Sequence, residues 1–292
     1  MKRATPLLPG SRLGVCAPSA RFDTEKLNSG IQIIEALGFK VKVPEEIFKK
    51  KRYLAGDDIV RANVVNDLFQ DPAIDGIICA RGGFGALRIL DHLNWNIIKQ
   101  NPKPFIGFSD NTAILLAIID ETGNSVIHGP NVVSFAHAAK ETIDAFYKSL
   151  NGSLNIIDIT NGRIIRPGMC KGILKGGNMA TISHLLGTRF QSDFKDAVLF
   201  FEDIGEPAYK IDRMLTQMKM AGLFNGIRGV ITGSFENCDN YEYLEEILYE
   251  IFEGYNVPVL SGLDSGHGKV NLSLNMGARI KMDTKPARIY WS

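Results

Sequence analysis

Short apolar runs alternate with amphipathic stretches through the first half of the chain. Leu13-Gly14-Val15-Cys16-Ala17 reads as a strand. Leu27, Ile31, Ile34 and Leu37 then recur at helical spacing over a helix predicted from about Thr24 to Leu37, which Gly38 stops. The same reading predicts a strand near Phe39 to Val43, a helix from about Asp57 to Phe69, and a strand Ile74 to Ala80 ending in the turn Arg81-Gly82-Gly83-Phe84-Gly85. A helix from Ala86, a strand Pro104 to Gly107, a helix from Asp110 to about Glu121 and a strand Val126 to His128 follow. Strands alternating with helices predict a parallel sheet covered on both faces.

The pattern weakens from about Ala136 to Arg166. One helix, around Thr142 to Leu150, is followed by the turn-prone Asn151-Gly152-Ser153 and Asn161-Gly162-Arg163. The domain connection is placed there, giving an N-terminal domain over 1–135, a linker over 136–165 and a C-terminal domain over 166–292. The second half mixes strands (Gly172 to Leu174, Val198 to Phe201, Gly229 to Gly233, Val257 to Leu260) with helices near Asn178 to Leu186, Tyr209 to Met220 and Tyr241 to Phe252. Alternating runs from Asn271 to Trp291, around Gly277, read as antiparallel strands. The fold class is therefore α/β in the first domain and mixed, β-rich α+β in the second.

At 292 residues and 45% hydrophobic composition the chain can bury the cores of two domains. Its 33 lysines and arginines balance 32 aspartates and glutamates, so no net field exists to hold a nucleic acid; a small or neutral partner is expected. Cys16, Cys79, Cys170 and Cys238 form no C-x-x-C pair, which argues against a zinc site and a disulfide framework and for free thiols in a reducing compartment. Met1-Lys2-Arg3-Ala4-Thr5-Pro6 opens with charge, but Pro9, Gly10, Ser11 and Arg12 interrupt it before any apolar run of signal length. No window reaches the roughly 18 to 20 apolar residues of a membrane span. The expectation is a soluble, cytoplasmic protein.

Three segments carry candidate chemistry. In Pro104-Phe105-Ile106-Gly107-Phe108-Ser109-Asp110-Asn111-Thr112 a strand bends into a helix at Ser109, which puts a hydroxyl above the sheet's carboxyl edge as a nucleophile elbow does. Asn111 stands where a G-x-S-x-G motif has its second glycine, and Ser109 as a simple helix cap is the competing reading. In Ala80-Arg81-Gly82-Gly83-Phe84-Gly85 the glycines free backbone N–H groups toward an anion. With the Asp110 amide, that of Gly83 or Gly82 would form an oxyanion hole, while a phosphate loop or a purely structural turn are the alternatives. Third, Ala197-Val198-Leu199-Phe200-Phe201 runs into Glu202-Asp203, and Gly266-His267-Gly268 places a histidine between glycines. His267 is the candidate base, His128 its site-lining runner-up, and Glu202 the carboxylate to fix the tautomer, with a surface polar role as the plain alternative for each.

Together these segments resemble the L,D-carboxypeptidase family of serine peptidases. The resemblance begins with Pro9-Gly10-Ser11-Arg12-Leu13-Gly14-Val15-Cys16-Ala17-Pro18-Ser19 and includes the glycine turn and Gly107-Phe108-Ser109-Asp110. It continues through Lys175-Gly176-Gly177-Asn178-Met179, Phe201-Glu202-Asp203-Ile204-Gly205-Glu206 and Ile211-Asp212-Arg213-Met214-Leu215 to Gly266-His267-Gly268. It implies Ser109 as nucleophile, Glu202 as orienting carboxylate, His267 as general acid/base, and the amides of Gly83 and Asp110 around the oxyanion. It also implies a flavodoxin-like N-terminal domain, an active site to which Glu202 and His267 come across the domain boundary, and a homodimer. The implied reaction releases the terminal D-alanine of a murein tetrapeptide in cell-wall recycling, with no metal and no cofactor. Arg81 and Arg213 are the candidates for the substrate carboxylate, Arg213 equally for a structural ion pair; Gly82, Phe84 and Asn178 complete the candidate substrate-binding set. Two rival readings stand beside this one: an immunity-type peptidase that cleaves an aminoacyl nucleotide with the same residues, and a non-enzymatic α/β ligand-binding protein.

Overall fold

The computed structural model describes residues 5–239 and 242–291. The opening charges at Met1-Lys2-Arg3-Ala4 and the expected helix start at Tyr241 lie outside them. Two compact units result. The first runs through Ser153 and takes in Leu272–Asn275; the second comprises Leu154–Asn271 and the chain from Met276 onward.

The first unit contains β1 (Arg12–Cys16), β2 (Lys40–Lys42), β3 (Gly76–Cys79), β4 (Phe105–Gly107) and β5 (Val126–His128). Between them run α1 (Thr24–Ala36), α2 (Asp58–Gln70), α3 (Ala86–Ile89), α4 (Trp95–Gln100) and α5 (Thr112–Thr122), and α6 (Lys140–Leu150) follows. Strands β1 to β5 pair in parallel in the order β2-β1-β3-β4-β5, the flavodoxin-like winding that places the carboxyl ends of β1, β3 and β4 side by side. Local chemistry sets the boundaries: Asp23 caps α1 by accepting from the amides of Glu25 and Lys26 at 2.9 and 3.1 Å. Helix α5 is buried continuously from Thr112 to Ile119, as a helix apolar on every side must be. It begins at Thr112, not Asp110, because Ser109–Asn111 form a separate 3₁₀ turn.

The second unit holds β6 (Ile156–Asp158), β7 (Arg163–Arg166), β8 (Met169–Asn178), β9 (Ala197–Ile204), β10 (Gly229–Glu236) and β11 (Val259–Ser261), with α7 (Met179–Leu185), α8 (Ala208–Met220) and α9 (Glu242–Phe252). After β12 (Leu274–Met276) come β13 (Arg279–Thr284) and β14 (Ala287–Trp291). Its sheet runs β6-β14-β13-β8-β9-β10-β11-β7; β8 to β11 are mutually parallel and the outer strands antiparallel. This is the mixed β-rich architecture that the pattern predicts.

Three details differ from the pattern. Strand β8 has ten residues where three were expected, because the chain runs on past Leu174 through Gly176 and Gly177, in register against Phe200 and Phe201. Strands β6 and β7 lie within the stretch read as connection; Ile157 is the one buried position of β6, whereas Ile156 and Ile164 are exposed. The terminal segment is not one antiparallel set: β13 and β14 pair as expected, whereas β12 joins the first unit's sheet beside β5.

Candidate active site

In the first unit, the carboxyl ends of β3 and β4 deliver the glycine turn and Ser109 to the same place. Ser109 has φ +64°, a left-handed conformation that costs a non-glycine residue about 1–3 kcal/mol and persists only where the surroundings impose it. It caps no helix: the N-cap positions of the 3₁₀ turn and of α5 belong to Phe108 and Asn111. A Cβ on Gly82 would lie 2.8 Å from Ser109 Cβ and 3.0 Å from its Oγ, so only glycine lets the turn approach the hydroxyl this closely.

Asn111, read in the sequence as a departure from the elbow motif, is what holds this bend. Fully buried, it accepts from Ser19 Oγ at 3.1 Å and donates through Nδ2 to the carbonyls of Phe108 and Arg81 and to Asn131 Oδ1, at 3.2, 3.3 and 3.1 Å. One amide thus ties together the segments that follow β1, β3, β4 and β5, which no glycine could do. Asp110 adds a further tie, its carboxylate accepting from the Ala86 amide at 2.8 Å where the glycine turn enters α3.

In the second unit, β9 carries Glu202 near its end, completely buried, whose Oε2 lies 2.7 Å from His267 Nδ1 although the two residues are 65 apart in sequence. The imidazole itself is 16% exposed. Burial pulls the His267 pKa down, but the hydrogen bond and charge of Glu202, with the charges of Asp203 and Glu236, outweigh it and leave the pKa above the ordinary histidine value. The glycine before the histidine is required: a Cβ on Gly266, at φ +119°, would meet Glu202 Oε2 at 2.6 Å and Ser234 Oγ at 2.7 Å. The loop is fixed further by Gly268 N–H donating to Ser234 Oγ at 3.0 Å and Gly266 N–H to Asn271 Oδ1 at 3.0 Å.

Asp203, next to Glu202 and also buried, accepts from Asn178 Nδ2, Ala180 N–H and Ile204 N–H at 2.8, 2.8 and 2.9 Å. Burial nonetheless raises its carboxyl to about 6, with a further push from the Glu202 charge and opposition from these hydrogen bonds. Sequence reasoning passed over Asp203 and Ser234. The adjacent acids after an apolar strand were the only signal for the first, and Ser234 had none.

The remaining candidates divide. Asn178 is occupied structurally, capping α7 and binding Asp203. Arg81 is exposed and donates to the Arg21 carbonyl at 2.9 Å. Phe84 is exposed against Tyr53. Arg213 is exposed on α8 with its guanidinium 5.3 Å from the Tyr209 ring centre. His128 is fully buried, with its ring edge-on to Phe108. Among the described residues, no group of three or more His, Cys, Asp or Glu side chains could hold a metal ion, and no helix is long and apolar enough to cross a membrane.

Comparison with known proteins places this geometry in a family. Two family models match, the LD-carboxypeptidase N-terminal domain over residues 13–129 and the LD-carboxypeptidase C-terminal domain over residues 171–282. The probable murein peptide carboxypeptidase of Bacillus subtilis is 31% identical over 94% of this chain and 89% of that protein. The murein tetrapeptide carboxypeptidase of Pseudomonas aeruginosa is 28% identical over 89% of each. Among solved structures, MccF in complex with glutamyl sulfamoyl guanosine matches with a TM-score of 0.92 at 25% identity, covering 99% of this chain and 98% of that one. The chain belongs to the LD-carboxypeptidase family of serine peptidases.

Proposed function

We propose that this enzyme removes the terminal D-alanine from a murein tetrapeptide, with Ser109 as nucleophile, His267 as general acid/base and Glu202 as the carboxylate that orients it. The observation that carries this reading is the buried Glu202–His267 hydrogen bond: a carboxylate with 0% exposure on Nδ1 fixes the tautomer and leaves proton exchange to Nε2. The left-handed Ser109 beside Gly82 supports the serine's role, and the names of the Bacillus subtilis and Pseudomonas aeruginosa relatives support the substrate.

In the proposed reaction Ser109 Oγ attacks the carbonyl carbon of the penultimate, diamino-acid residue while His267 Nε2 takes the hydroxyl proton. The amides of Gly83 and Asp110 receive the oxyanion, an interaction whose loss typically costs roughly 100- to 1,000-fold in rate. Collapse breaks the C–N bond, the imidazolium returns its proton to the departing D-alanine amine, and water resolves the acyl-enzyme by the same steps. Arg81, on the turn that carries the Gly83 amide, is the cation assigned to the substrate's free carboxylate. The reading includes a cytoplasmic homodimer; four free cysteine thiols fit a reducing compartment.

The test is mass spectrometry of wild type and Ser109→Ala incubated with murein tetrapeptide. Tripeptide and free D-alanine from wild type alone are expected. Equal cleavage by the variant would remove Ser109 from the mechanism, and no cleavage by folded wild type would turn attention to an aminoacyl nucleotide.

A further inference from the structure

Two thiols that the proposed reaction does not use meet inside the first unit's sheet. Cys16 ends β1 and Cys79 ends β3, and the two pair in register across neighbouring parallel strands. Their sulfurs lie 3.8 Å apart, in hydrogen-bonding contact, and both side chains are fully buried. Neighbouring strands run about 4.8 Å apart, inside the roughly 4.4 to 6.8 Å between Cα atoms that a disulfide spans. Bridging therefore requires neither strand to leave the sheet. The sulfurs have only to close by about 1.8 Å, from 3.8 Å to the bonded separation of about 2.05 Å.

The segments that leave these two strands are the ones that hold Ser109. Beyond Cys16, Ser19 Oγ donates to Asn111 Oδ1 at 3.1 Å. Beyond Cys79, the Arg81 carbonyl accepts from Asn111 Nδ2 at 3.3 Å, and Gly82 packs on Ser109. The Ala80 amide, donating to the Cys16 carbonyl at 2.7 Å, ties the two exits together. The Cys79 sulfur itself supports the bend. A Cβ on Gly107 would lie 3.0 Å from that sulfur and 3.1 Å from Asn111 Cβ, so sulfur, strand β4 and Asn111 are stacked without spare room. Drawing the sulfur toward Cys16 takes support from beneath the strand that delivers the nucleophile.

We infer that Cys16 and Cys79 form a reversible redox switch, whose disulfide displaces the glycine turn and Asn111 and slows the enzyme until it is reduced. This rests on Ser109 being the nucleophile. The co-reactant is a peroxide. One thiol sulfur attacks the O–O bond, giving a sulfenic acid and water; the second sulfur then displaces the hydroxyl as water and forms the S–S bond. Two thiols lose two electrons and two protons, and one hydrogen peroxide becomes two waters. Burial, with the hydrogen bond to Cys16, holds the Cys79 thiol well above the ordinary cysteine range, so the closed fold keeps the pair silent. Oxidation waits on local opening at the carboxyl ends of β1 and β3, which makes the response slow and leaves the enzyme insensitive to brief exposure.

The experiment treats the purified enzyme with hydrogen peroxide, maps disulfides by peptide mass spectrometry, and measures kcat on tetrapeptide before and after dithiothreitol. A Cys16–Cys79 bridge should appear together with a roughly 10- to 100-fold fall in kcat, the size expected of a displacement approaching 1 Å, and both should reverse on reduction. Cys16→Ala and Cys16→Val leave the Cys79 sulfur against Gly107 and should keep kcat within twofold through the same treatment. The second variant fills the buried volume if the first fails to fold. No bridge at a peroxide dose that oxidises the half-buried Cys238 overturns the inference, as does a bridge that leaves kcat unchanged or an equal loss in the Cys16 variants. The rate at which a fluorophosphonate labels Ser109 supplies a readout free of the substrate. Slower labelling of the bridged form, beside no peptide turnover by the reduced enzyme, would sink the carboxypeptidase reading and keep the switch; equal labelling of both forms would sink the switch.

Discussion

Replacing Gly82 with alanine should disable the enzyme while leaving it folded. The new Cβ would stand 2.8 Å from Ser109 Cβ and 3.0 Å from Oγ. That is about 0.6 Å short of an ordinary carbon–carbon contact, so either Ser109 or the glycine turn must give way. Ser109 already occupies a strained conformation fixed through Asn111, and the turn is hydrogen-bonded through the Gly82 and Arg81 carbonyls. Overpacking of this kind costs about 1–3 kcal/mol of stability. A misplacement near 1 Å costs on the order of 100-fold in rate, so about 0.6 Å should lower kcat by roughly 10- to 100-fold. Gly123→Ala supplies the control: Gly123 is left-handed at φ +73° with nothing within 4 Å of its would-be Cβ, so alanine there should cost about 1 kcal/mol and leave kcat alone. Steady-state kinetics on tetrapeptide and thermal unfolding of both variants decide the matter. A Gly82→Ala enzyme with kcat within twofold of wild type would refute the close approach of turn and Ser109.

Further expectations concern the acids of the second unit. Glu202→Gln removes the charge that holds the His267 pKa up. The acid limb of kcat/KM, which reports the base losing its proton, should move to lower pH, with kcat falling on the order of 1,000- to 10,000-fold; a limb that stays in place would separate Glu202 from His267. Because the folded His267 pKa is raised, its contribution to stability is complete below the unfolded value near 6.5 and lost as pH rises through the folded value. In Glu202→Gln that decline should be weaker, as read by urea unfolding across pH 6 to 8. Asp203, raised from 3.8 to about 6, makes the native state take up a proton before the unfolded chain does, so its contribution to stability falls as pH climbs between those values; Asp203→Asn should flatten that slope in urea titrations.

The alternation of strands and helices made the parallel sheet readable, because a sheet covered on both faces leaves period and breaker signals in every element. The candidate segments stood out for a related reason: Ser109, the Gly82-Gly83 turn and His267 all sit where glycine punctuates the end of an apolar run. Asn111 was misjudged because its value lies in four partners drawn from distant segments, which no local motif displays. Strand β8 was cut short for the opposite reason. Gly176 and Gly177 carry the composition of a turn, and only pairing with β9 makes them strand. Ser234 acts by accepting the Gly268 amide of a distant segment, which leaves no trace in side-chain pattern, and the partners of Asp203 at Asn178 and Ala180 are equally remote in sequence.

The return of Leu272–Asn275 to the first unit bears on how this chain can be divided. β12 occupies the sheet edge beside β5, so a fragment ending at Ser153 would uncover the backbone of Val126–His128, three buried apolar or aromatic positions in a row. Such a naked edge is a template for strand addition between molecules. The N-terminal piece is therefore not a self-sufficient module: a split-protein design, a truncation or a circular permutant has to carry the late segment around β12 along with it.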